Sequence, residues 1–110
     1  MIKSHSLYLF TVKRIFLGGR KMENRIGIVG IVIDDPKQSV EIVNGILSEF
    51  ADIIIGRMGL PYKKRSVCVI SVTVDGSNDR IGALCGKLGR VNGVNVKSVL
   101  SSKIYKGEEE

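Results

Sequence analysis

Ile26-Gly27-Ile28-Val29-Gly30-Ile31-Val32-Ile33-Asp34-Asp35-Pro36 is the stretch on which the fold turns. Eight uncharged residues, most of them β-branched, read as a buried central strand, and the two glycines mark places where other parts of the chain approach its backbone. Two acids and a proline stop it. Asp35 stands where an N-cap belongs, with Pro36 at the first helical position and Gln38 at the third. Val40, Val43, Ile46, Leu47 and Phe50 then recur at helical spacing, which predicts a helix ending near Phe50.

Beyond this unit Ile53-Ile54-Ile55 opens a second strand running into Arg57-Met58-Gly59-Leu60-Pro61, where glycine and proline predict the turn. Ser66 to Val74 is a third strand, with Cys68, Ile70, Val72 and Val74 on one face and Val67, Val69, Ser71 and Thr73 on the other. Asp75-Gly76 predicts the next turn and Ser77 or Asn78 the cap of a second helix. Ile81, Leu84, Cys85 and Leu88 form that helix's buried stripe, and Gly89 ends it. Val94 to Leu100, after Asn92-Gly93, is the last strand.

Strand, helix, strand, strand, helix, strand predicts an α+β chain of the ferredoxin-like kind: a βαββαβ two-layer sandwich, with a four-stranded antiparallel sheet and both helices on one face. Strands one and three lie at its centre. Val29, Ile31, Val67 and Val69 would then leave apolar surface on the open face, so a homodimer or higher homo-oligomer is expected; the alternative is that loops or the N-terminal arm cover that face.

Most of the positive charge lies outside the periodic region. Lys3, Lys13, Arg14, Arg20 and Lys21 supply five of the formal +6, and from Met22 onward twelve cations face eleven acids. Bulk electrostatics therefore gives the folded part little hold on nucleic acid. Residues 1–22 read as an extension, because Gly18-Gly19-Arg20-Lys21 before Met22 is what a purine-rich ribosome-binding sequence yields when translated in frame. Met22 is then the natural start, the alternative being a genuine basic amphipathic arm. The regulatory domain is expected over residues 23–103 and an acidic tail over 104–110. Two cysteines seventeen apart match neither a disulfide framework nor a zinc site, and no apolar run approaches the roughly 20 residues that cross a bilayer. A reduced, cytoplasmic chain is expected.

Arg57-Met58-Gly59-Leu60-Pro61, Ile81-Gly82-Ala83-Leu84-Cys85-Gly86-Lys87-Leu88-Gly89 and Gly93-Val94-Asn95-Val96-Lys97 together resemble the family of iron-only ([FeFe]) hydrogenase system regulators. These are stand-alone ACT-like domains, related in fold to the C-terminal domain of nickel-responsive repressors and sometimes labelled transcriptional regulators. The resemblance spans about residues 24–103. It implies a non-enzymatic regulatory or ligand-sensing oligomer whose partners are its own copies and an unidentified small effector or protein. It names no cofactor and implies no membrane. Small effectors of ACT-like assemblies sit between subunits, which makes Arg57, Gly59, Gly82, Gly86 and Lys87 candidate ligand or interface positions. Asp34 joins them because it opens the segment where amino-acid-binding ACT domains carry Asp-x-Pro-Gly; here Asp34-Asp35-Pro36 runs into Lys37, which removes close backbone access for an amino acid.

The nickel chemistry of the repressors does not carry over, since residues 22–110 contain no histidine. Gly82-x-x-x-Gly86-Lys87 is not a phosphate loop, which needs four residues between its glycines and Ser or Thr after the lysine. The two glycines are better read as letting the helix lie against the sheet or a neighbouring subunit. Lys63, Lys64 and Arg65 with Arg57 read as a solvated basic hairpin loop, and both cysteines as structural. Nucleic-acid binding through the sheet is the alternative function, but it calls for aromatics on the central strands, and strands one and three carry none.

Overall fold

The computed structural model describes residues 23–106. The chain runs β1 (Glu23–Ile33), α1 (Pro36–Glu49), a 3-10 turn (Ala51–Ile53), β2 (Ile54–Tyr62), a 3-10 turn (Lys63–Arg65), β3 (Val67–Ser77), α2 (Asn78–Gly89), β4 (Val94–Leu100) and β5 (Tyr105–Lys106). It is an α+β architecture. The strands form one antiparallel sheet in the order β2-β3-β1-β4, with β5 also on β1. Five strands replace the expected four, for a reason that lies in β1. Its pairing with β4 starts at Gly27, which leaves the β4-side edge of Glu23 and Asn24 open, and Lys106 and Tyr105 pair with those two residues. Arg25 fixes the connecting bend by donating to the carbonyls of Ser101 (2.9 Å) and Ser102 (3.2 Å), while the Ser101 hydroxyl accepts from the Ile26 N–H (3.2 Å).

Both helices pack on the sheet face that carries Val29, Ile31, Ile33, Ile70, Val72 and Val74, and Val43, Leu47, Phe50, Ile81, Leu84 and Leu88 close the core from above. The register Val29↔Val72 and Ile31↔Ile70 puts both β1 residues in this layer, each fully buried. The expectation that Val29 and Ile31 line the open face is therefore corrected: Ile28 and Val32 line it. Both faces of β1 are apolar, so alternation alone gives no phase; cross-strand pairing with β3 sets it. Val67 and Val69 do lie on the open face, opposite Tyr62 and Leu60.

Three local expectations also shift. Arg57, Gly59 and Pro61 lie within β2, not in a turn, because β2 is an edge strand where a proline needs no N–H on its solvent side. The turn comes at Lys63–Arg65, closed by Ser66 in the left-handed region (φ 58). Asp75-Gly76 does not turn the chain: β3 continues through both to Ser77, and Gly76 is buried where a Cβ would stand 2.9 Å from Ile53. Asp35 occupies the N-cap position of α1 without a side-chain cap bond; its carbonyl accepts from the N–H groups of Gln38 and Ser39, both at 3.1 Å. Ser77 caps α2 as expected, accepting from the Arg80 N–H at 3.1 Å. Between α2 and β4, Gly93 takes a positive φ of 73° and its carbonyl accepts from the Asp34 N–H at 2.7 Å.

Candidate functional site

The structure distributes the six candidate residues over three places. Arg57, on the helix side of β2, reaches α1 and donates to Asn44 Oδ1 at 2.8 Å. Gly59 lies two residues further along the same strand, exposed, with nothing within 4 Å of its Cβ position. On α2, Lys87 pairs with Glu49 at the end of α1 (2.7 Å), two turns along from the Arg80–Asp52 pair that ties the same helix to the 3-10 turn after α1. Arg80 also lies over the Phe50 ring, 4.6 Å from its centroid, so the helix-to-helix seam is closed by charge above and aromatic surface below.

Gly82 and Gly86 are exposed on α2, and neither has an atom within 4 Å of its Cβ position. They do not bring α2 closer to its own sheet, so the intramolecular reading of these glycines is excluded and space for a neighbouring molecule is what they leave. Asp34 stands apart. Arg57 is opposite Val72, which is opposite Val29, and Asp34 lies five residues beyond Val29, roughly 17 Å along the sheet. Its carboxylate accepts from Asn95 Nδ2 at 3.3 Å and its N–H is held by Gly93, a junction between β1 and β4.

Sequence reasoning missed a groove of about 510 Å³ between α2 and β4, lined by Cys85 and Gly89 on one side and Val94 to Ser98 on the other. It forms because β4 is an edge strand only partly roofed by α2, and because Gly89 and Ser98 are too small to fill the gap. Burial pushes the Cys85 thiol up, an effect partly opposed by its hydrogen bond with Ser98. The groove thus presents a neutral thiol, a hydroxyl and strand-edge polar groups, with Lys97 as the one charged residue of its lining, a set that binds and orients. Cys85 is expected to react with iodoacetamide more slowly than free cysteine at neutral pH, with the rate rising only above the usual thiol range. Alkylation at neutral pH as fast as the free amino acid would show that the thiolate is stabilised.

Among the described residues no group of three or more His, Cys, Asp or Glu is placed to hold a metal ion, and no helix is long and apolar enough to cross a membrane.

Among curated proteins the chain has no match. A solved structure, that of protein TM1266 from Thermotoga maritima, superposes with a TM-score of 0.69 at 38% sequence identity, covering 71% of this chain and 98% of the other. The family model for TM1266-like iron-only hydrogenase system regulators matches residues 25–98. That span runs from the start of the β1 core through both helices to the floor of the groove on β4, and it takes in all six candidate positions. The chain belongs to the TM1266-like family of iron-only hydrogenase system regulators.

Proposed function

We propose that the chain is a non-enzymatic, homo-oligomeric ACT-like module that senses a small effector and regulates the iron-only hydrogenase system by binding. The observation that carries this reading is the groove between α2 and β4. Its volume of about 510 Å³ falls within the range of small-molecule sites, it is open to solvent, and its lining offers a hydroxyl, a neutral thiol, apolar side chains and the polar residues Asn95 and Lys97. Bond-making chemistry asks for a poised acid, base or nucleophile in the cleft. The groove lining contains no carboxylate or histidine to serve as that acid or base; its one charged residue is Lys97, on the edge strand β4.

The nucleic-acid reading has less support. Tyr62 and Tyr105 are exposed, but they stand on β2 and β5, on either side of central strands that carry no ring for a base to stack on.

Native mass spectrometry of the chain purified from its own organism tests the proposal. A small molecule should be retained, and Ser98→Leu, which fills the groove, should reduce its occupancy at least about tenfold with the fold intact. Arg57→Ala distinguishes the groove from the opposite flank. If neither variant changes what is retained, or nothing is retained, effector sensing at these sites is wrong.

A further inference from the structure

We infer that a second copy of this chain covers the open face of the sheet, packing face to face through the strand surface that the helices leave bare. The inference rests on the proposed homo-oligomer and assigns its contact surface. Ile28, Val32, Met58, Leu60, Tyr62 and Val99 are all exposed on this face, from 37% for Val32 to 73% for Val99. At roughly 150 to 200 Å² per fully exposed large side chain, these six present on the order of 600 Å², the upper limit of patches on soluble monomers. A stable interface buries about 800 Å² per partner, which the intervening Val67, Val69, Ser71 and Thr73 bring within reach. Charge is confined to the margins of the face: Lys97 on the edge strand β4 and Asp75 near one end of β3 are the only charged side chains at its β1 to β4 positions, and a rim lysine can keep its ammonium in water.

Its relief favours a copy of the same chain. The register places Met58, Ser71, Gly30 and Lys97 in one row across the four strands. Met58 stands proud, 72% exposed, at one end of the row. Gly30 leaves a hollow further along it, where the nearest atom to a Cβ would be the Lys97 carbonyl oxygen at 3.8 Å. A glycine inside a central strand weakens it and marks a place where something else comes close. A knob and a hollow on either side of β3 are self-complementary under a two-fold axis running along that strand, which sets each Met58 over its partner's Gly30 and leaves the edge strand β4 at the rim. Two sheets packed this way lie about 10 Å apart, a layer that one methionine spans.

Light scattering on the full chain at micromolar concentration should give an even multiple of the chain mass. Met58→Lys and Leu60→Lys, both at positions exposed in the single chain, should each cut the mass by half or more, whereas Met58→Leu should keep it. A second readout needs no variant: hydrogen peroxide should oxidise Met58 at least about tenfold more slowly in the assembled protein than after dilution to single chains. An oligomeric parent whose mass survives both lysine variants would overturn this surface and leave the oligomeric reading standing. A monomeric parent would overturn both, and Met58 protected within that monomer would show that another segment of the same chain covers the face.

Discussion

Ile31→Ala is expected to lower the thermal midpoint by roughly 15 °C. Ile31 is fully buried at the middle of β1, between Ile70 on β3 and Val96 on β4, beneath both helices. Removing three carbons there loses their transfer energy and leaves a cavity that a sheet held on both sides cannot close, which costs about 2–5 kcal/mol. In a domain of this size each kcal/mol moves the midpoint by about 4–8 °C. Differential scanning calorimetry of parent and variant measures it, and a shift below about 5 °C would mean that the layer around Ile31 is not the close-packed core described above.

Gly27→Ala should also destabilise, by about 1–3 kcal/mol, although it adds a single methyl group. The Cβ would meet the Leu100 side chain and stand 2.8 Å from the Val99 carbonyl oxygen, and the latter is backbone that no rotamer change can move. β4 must therefore shift at its end, and amide exchange at Val99 to Ser101 should accelerate before exchange in β3 does. Gly45→Ala on α1, with nothing within 4 Å of the new carbon, is the control and should raise stability by about 0.5–1 kcal/mol. If the two glycines responded alike in urea titrations, the tight contact at Gly27 would be refuted.

The contrast between these strands also explains what the sequence could and could not tell. β3 alternates Ile70, Val72 and Val74 with Ser71 and Thr73, so one face is polar enough for its phase to be read directly. β1 is apolar on both faces, and only the partner strand decides which residues go inward, so the sequence alone does not distinguish Val29 and Ile31 from Ile28 and Val32 as the buried set. The helices were legible because Val43 with Leu47 and Ile81 with Leu84 and Leu88 repeat at helical spacing, and both bury as expected. β2 was cut short at Gly59-Leu60-Pro61 because residues that signal turns are equally acceptable on an edge strand. β5 gave no periodic signal, having two residues, and exists because β1 outruns β4. The candidate residues were legible one at a time. Their separation, with Arg57 on α1's side, Lys87 in the helical seam and Asp34 at the β1–β4 junction, depends on which strands lie at the edges. The groove is defined by missing volume at Gly89 and Ser98, which no pattern of present side chains announces.

The short β5 has a consequence for how this domain can be wired into a longer polypeptide. Glu23 and Lys106 are direct cross-strand neighbours, so the segments leading in and out meet the domain at one point, on adjacent antiparallel strands. A domain with that plumbing can be inserted into a surface loop of a host protein without prying the host apart, or circularly permuted by a short Gly-Ser bridge with new ends opened at the Lys63–Arg65 turn. A pull on the two ends would peel β5 from β1 one residue pair at a time, leaving the core layer beneath untouched until Arg25 lets go of Ser101 and Ser102.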